Sequence, residues 1–192
     1  DVATLDVTAT GEFIDTKDRS TIIIRQDSVI DGIFNQTVDS EIRFVGDVTL
    51  TGAATTIAFG NLVVPDGSTL NTDIDQVVTV ADLDIAGSLN LDGDLEVGGY
   101  GLTTSFVVDG TMNVSGDVVY TGDKFEMDIN SGASLTIGGD LSTNSTVNVY
   151  SGGFLEVGGD TTIGEQLYVE GTFVSSGTDS TLTLTGGANS AL

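Results

Sequence analysis

The chain contains no cysteine, no histidine and no tryptophan among its 192 residues, and only one proline. Without thiols there are no disulfides, so the fold is held by burial and hydrogen bonding alone. Without imidazole or thiolate there is no Ser-His or Cys-His nucleophile, no zinc site built on those ligands and no c-type haem attachment. Cations are scarce, with five Lys and Arg against 29 Asp and Glu, a formal charge of −24. A surface of that sign repels nucleic acid and anionic lipid, so neither is an expected partner. No apolar run approaches the ~18 residues of a membrane span, and membrane insertion is not expected.

What is present reads as strand and turn. Hydrophobic residues make up 39% of the chain and mean hydropathy is +0.20, which argues against disorder despite the charge. Gly occurs 26 times among many Thr, Val and Ile, a composition poor in helix formers. The chain opens on Asp1 rather than Met, so removal of an N-terminal secretory signal is expected, with a trimmed chain as the alternative.

A repeat organises these residues. Gly-Asp recurs at Gly93-Asp94, Gly116-Asp117, Gly139-Asp140 and Gly159-Asp160, in steps of 23, 23 and 20 residues. Ahead of each pair stands an apolar-x-apolar triplet: Leu89-Asn90-Leu91, Met112-Asn113-Val114, Leu135-Thr136-Ile137 and Leu155-Glu156-Val157. A Gly precedes each triplet, and before it comes another such unit, Leu83-Asp84-Ile85, Phe106-Val107-Val108, Met127-Asp128-Ile129 or Val147-Asn148-Val149. A third unit often follows the Gly-Asp, as in Leu95-Glu96-Val97. Period-2 units this short, broken by Gly every few residues, do not make a long-stranded sandwich. Three per repeat make one coil of a solenoid whose strands stack in parallel at ~4.8 Å. The expected fold is all-β: a single-domain β-solenoid (parallel β-helix) of about eight coils of roughly 20–23 residues.

The repeat is clear over 60–187 and degenerate over 20–59, where Ile22-Ile23-Ile24, Ile42-Arg43-Phe44 and Val48-Thr49-Leu50 read as earlier coils. Arg19, Arg25 and Arg43 are three of the five cations. Residues 1–16 partly alternate and read as an N-terminal strand or arm outside the repeat, with 17–192 the solenoid domain. Pairing of this strand with the edge of its own first coil is the alternative.

The strings GSLNLDGDLEVGG, GTMNVSGDVVYTG, GASLTIGGDLSTN and GGFLEVGGDTTIG resemble exported parallel β-helix proteins, such as autotransporter-type passengers and other surface-fibre solenoids. The resemblance covers about two thirds of the chain and implies a rigid extracellular module at the cell surface. Bactofilins share the rhythm, but this chain is longer and does not begin with Met. The motif encodes turns and stacking, so it implies no catalytic residue.

Several features point to chemistry. If Asp94, Asp117, Asp140 and Asp160 share a corner, their carboxylates lie ~5–6 Å apart, and in water each pair repels by only ~0.7–0.9 kcal/mol. A solvated acidic ridge is therefore expected, with Ca2+ bridging as the alternative. The nonapeptide pattern of calcium-binding β-rolls is absent, and no other cofactor is expected. Asp84, Asp128, Glu156 and Glu170 are candidates for a polysaccharide-cleaving acid/base pair, but Lys124 is the only cation after residue 43 and aromatics are 6%. No enzyme is expected. Three N-x-S/T sequons start at Asn35, Asn113 and Asn144. Phe106, Phe154 and Phe173 are expected to fill the core, and the four tyrosines to sit at strand ends and corners.

The expected function is a structural subunit of an extracellular filament or surface layer. It would polymerise with itself, head to tail, by solenoid stacking and donation of the N-terminal strand, with Leu5, Val7 and Ala9 entering apolar slots on the neighbour. The alternative is a monomeric adhesin or passenger-type module that binds a carbohydrate or a surface receptor.

Overall fold

The computed structural model describes residues 5–8, 10–15, 19–54, 56–98, 104–122 and 126–186, with the side chains of 74–76 excepted. Ala9, Tyr100 and Lys124 lie outside them. The described residues form parallel strands wound into a solenoid of about eight turns, without a helix.

Each turn has three straight segments. The first is β1 (Asp6–Val7), β2 (Glu12–Asp15) and β3 (Thr21–Ile24); the second is β4 (Ser28–Ile30), β5 (Ile33–Gln36) and β6 (Glu41–Phe44). Longer strands then bend through the corners: β7 (Asp47–Thr51) and β8 (Thr56–Val64) make one turn, β9 (Thr69–Ile85) a whole turn alone, and β10 (Ser88–Val97) with β11 (Phe106–Val108) the next. The regular repeat resumes with β12 (Thr111–Val114), β13 (Val118–Tyr120) and β14 (Met127–Ile129), then β15 (Ser134–Ile137), β16 (Leu141–Thr143) and β17 (Val147–Val149). The last strands are β18 (Phe154–Val157), β19 (Thr161–Ile163), β20 (Leu167–Val169), β21 (Thr172–Ser175) and β22 (Leu182–Leu184).

Equivalent segments stack into three faces. The first runs from β1 through β4, β7, β9, β10, β12, β15 and β18 to β21. The second runs from β2 through β5, β8, β9, β10, β13, β16 and β19 to β22. The third runs from β3 through β6, β8, β9, β11, β14 and β17 to β20. Among the described residues the first two faces therefore hold nine strand segments and the third holds eight.

The apolar triplets build the core as their period requires. Leu91, Val114, Ile137 and Val157 pair in register from turn to turn and are all buried, one ladder of a continuous interior. Burying such a side chain contributes about 1.5–3 kcal/mol. Thr72 stands in the same ladder two strands below Val114, and its Oγ1 accepts a hydrogen bond from Asp92 N at 3.1 Å. Aromatic residues fill the early turns: Phe13 stacks on Phe34, which meets Phe59 edge-on, and Phe44 does the same.

Two aromatic placements differ from expectation. Phe106 is in the core, but Phe154 pairs with Ser134 in an outward column and is only half-buried, because Leu155 and Val157 take the inward positions of that strand. Phe173 packs half-buried against the core at the open last turn. Tyr120 is wholly buried; its hydroxyl donates to Thr104 O at 2.9 Å, and burial, reinforced by Asp82 and Asp128, pushes its pKa up to about 12.

The N-terminal segment lies on its own chain. Asp6 and Val7 pair in parallel with Val29 and Ile30, and β2 pairs with β5, so β1 and β2 form part of the first turn. Val7 is buried and Leu5 packs half-buried against the same core. The hydrogen bonds Val29 N to Leu5 O and Asp31 N to Val7 O, at 2.9 and 2.7 Å, secure it there. Period-2 alternation marks a strand but carries no information about which edge the strand joins.

Candidate assembly interface

The interior turns hold together at their corners through the recurrent aspartates. Asp94 Oδ1 accepts the backbone N–H of Asp117 at 2.8 Å, Asp117 that of Asp140 at 2.7 Å, and Asp140 that of Asp160 at 2.8 Å. Asp160 closes the series on Thr181 N at 2.8 Å. Each carboxylate thus caps a donor that the turning chain leaves outside the strand ladder, a charge-assisted bond repeated turn after turn. Asp27, Asp31 and Asp82 do the same for Thr49, Ala53 and Ser105.

The Gly of each Gly-Asp pair belongs to the same device. A Cβ on Gly116, Gly139 or Gly159 would lie 2.0–2.1 Å from the carboxylate oxygen of the Asp one turn below. The dipeptide therefore works between turns, with the Gly making room for one carboxylate while the next Asp donates its N–H to it. The four expected cation ligands are in this way engaged with backbone. Among the described residues no three acidic side chains gather closely enough to hold a metal ion.

The third face concentrates other acidic groups. Asp84 and Asp128 share one column, separated by Val107, so their Cα atoms are about 9–10 Å apart by two strand spacings. Glu156 lies on the first face, and Glu170 follows β20 at a corner, so the four acid/base candidates are not brought together. Burial raises the pKa of Asp84, and the nearby Asp109 adds to the rise while Arg43 opposes it. Burial likewise raises Asp82, reinforced by Asp39 and opposed by the Ser105 N–H. Asn148 donates to Asp128 Oδ1 at 2.8 Å and also to Glu126.

All three sequon asparagines are exposed. The amide nitrogen of Asn113 donates to Asn90 Oδ1 at 2.7 Å, so this side chain belongs to a column on the first face.

The ends of the solenoid differ from its middle. Val169 on β20 is 40% exposed, although its register partner Val149 is 0% exposed. Leu182 is 37% exposed in register with Thr161 at 1%. Phe173 and Leu184, partly buried, complete an apolar end, and β20, β21 and β22 carry strand edges with no further partner among the described residues. At the opposite end, β1, β2 and β3 present the complementary edges, with Leu5, Phe13 and Ile22 half-buried above the core. Charge is also unequal. Residues 160–186 hold Asp160, Glu165, Glu170 and Asp179 and no cation, whereas the first 25 residues hold Lys17, Arg19 and Arg25 against Asp1, Asp6, Glu12, Asp15 and Asp18. Among the described residues the third face is one strand short, and nothing in the sequence signals it.

No family model, no curated protein and no solved structure matches the chain.

Proposed function

We propose that this chain is a structural subunit of an extracellular filament or surface layer, polymerising head to tail by stacking one solenoid on the next. The carrying observation is the last turn, where Val169 and Leu182 stand exposed at positions whose counterparts one turn below are fully buried. The first turn of a second copy offers edges of the same three-sided outline, and the contact is heterologous, so it propagates as a filament. Burying the end of each copy removes apolar surface from water and pairs open strand edges. Both ends carry net negative charge, so repulsion between subunits of charge −24 opposes the contact and salt screening favours it. Export from the cell belongs to this reading, supported by the surface-solenoid resemblance and the acidic exterior.

Among the described residues the third face is one strand short, so stacking in register leaves a slot above β20, beside Tyr168, which is exposed. In each turn the chain passes from the third face to the first, as β3 leads to β4. The residues ahead of Leu5 in the neighbouring copy are therefore the strand we assign to that slot. Donation then needs only residues 1–4, and Leu5 and Val7 keep their places on their own first turn.

Negative-stain microscopy and sedimentation test this. The wild-type chain is expected to form filaments more readily as NaCl screens the repulsion. Leu182→Asp is expected to give a folded monomer, and deletion of residues 1–4 shorter or weaker filaments. A monodisperse wild-type monomer across salt and protein concentration overturns stacking in favour of a monomeric binding module. Unchanged filaments after the deletion overturn the donated strand alone.

A further inference from the structure

On the first face the strand registers align two outward columns: Thr69, Ser88, Thr111 and Ser134 in one, Asn71, Asn90, Asn113 and Thr136 in the other. None of these eight side chains is charged, on a chain that carries −24. The amides are chained, Asn113 Nδ2 donating to Asn90 Oδ1 at 2.7 Å and Asn90 Nδ2 to Asn71 Oδ1 at 2.8 Å. Alongside them runs a groove of about 430 Å³, whose lining also includes Thr72, Asp92, Ser115 and Thr136.

We propose that this groove binds a neutral, hydroxyl-rich polysaccharide chain lying along the solenoid axis. The chained amides fix their own orientation and still leave unspent capacity: one N–H on each of Asn90 and Asn113, two on Asn71, and the Asn113 oxygen. These groups recur at the ~4.8 Å rise of the stacked strands, so hydroxyls spread along an extended glycan meet the same kind of partner on successive turns. Asp92 Oδ1 accepts from Ser115 Oγ at 2.8 Å, a carboxylate at the groove that repels a polyanion and accepts from sugar hydroxyls. The volume lies in the usual range of ligand clefts, ~300–1,000 Å³. A protein strand gains no ladder here, because the outward columns present side chains rather than a backbone edge.

Retention on insoluble cellulose and chitin, with titration of cellohexaose by calorimetry, tests the proposal; polygalacturonate serves as the anionic control. The wild-type chain is expected to bind a neutral glycan with little dependence on NaCl and to ignore polygalacturonate. Asn90→Leu breaks the amide chain, and Asn113→Arg fills the groove from its exposed side without burying a charge. Each is expected to weaken binding at least about tenfold while far-UV circular dichroism and filament formation stay as in the wild type, which separates this site from end-to-end assembly. If Asn90→Leu fails to fold, Asn113→Arg alone carries the test. No retention of either glycan and no cellohexaose binding by the wild type overturns the proposal, as does undiminished binding by Asn113→Arg. Loss of side-by-side filament association in the variants, without any glycan binding by the wild type, overturns it too and assigns the face to contacts between copies.

Discussion

Replacing Gly139 by Ala probes the corner device directly. The residue does not need a positive φ, so the substitution reads space rather than backbone strain. Its new Cβ would fall 2.0 Å from Asp117 Oδ1, and 2.8 and 2.9 Å from C and O of Gly116. The carboxylate must swing away and give up the 2.7 Å bond to Asp140 N, and the backbone contact must also be relieved. Losing a hydrogen bond to a charged acceptor at an exposed corner costs about 1–1.5 kcal/mol, and relieving overpacking against backbone about 1–3 kcal/mol. The expected cost of Gly139→Ala is therefore about 2–4 kcal/mol. Asp117→Ala removes the same bond without overpacking, and water rehydrates the exposed N–H, so about 1 kcal/mol is expected. In the double variant the bond can be lost only once, so the combined cost should fall short of the sum by about 1 kcal/mol. Gly67→Ala is the control: its φ is +70° and nothing lies within 4 Å of the added Cβ, so only the left-handed backbone penalty of about 1–2 kcal/mol applies and Asp117→Ala should not alter it. Urea titration followed by both circular dichroism and tyrosine fluorescence gives the free energies of wild type and variants and shows whether unfolding remains cooperative in a repeat protein. Strict additivity of Gly139→Ala and Asp117→Ala, within about 0.3 kcal/mol, would refute the argument that the two residues form one unit.

Two further outcomes are expected. Ile137→Asp places an unpaired carboxylate in a ladder where the side chain is 1% exposed, so it should cost about 3–5 kcal/mol and loosen the turns on either side; an unchanged melting temperature would show that the stacking is misassigned. Asp82→Asn keeps an oxygen for the Ser105 N–H while removing a half-buried charge. Because the folded pKa of Asp82 is raised, its contribution is present below the ordinary carboxylate range and is lost as pH rises through the folded value. The variant should therefore gain stability over wild type at neutral pH, and the gain should fade on acidification; equal or lower stability at pH 7 would contradict the role of burial.

The short-range pattern was enough to establish the solenoid and much of its core. Apolar-x-apolar triplets separated by Gly leave a strand one inward face and too little length for a sandwich, and the ladder from Leu91 to Val157 follows from that. Phe154 marks the limit of such reading, since one step in a period-2 strand exchanges core for surface. The aspartates were legible as a regular series, but read alone they suggested a solvated ridge. Only stacking brings the N–H of one Asp to the carboxylate of the Asp a turn earlier, with the Gly between them leaving space. The spacing of Asn71, Asn90 and Asn113 was likewise visible, whereas their hydrogen-bonded chain and the adjoining groove depend on three turns being superposed. For residues 5–15 alternation marked a strand, and the choice of β4 and β5 as its partners was made by the edges those strands leave open. The last described turn stands between the two cases: its apolar residues are written in the chain, but their exposure depends on which strands stack against them. Local periodicity determines conformation and the inward face because both act within a few residues. Register, capping and the state of the ends arise between residues about 20 apart, and only the tertiary winding brings those together.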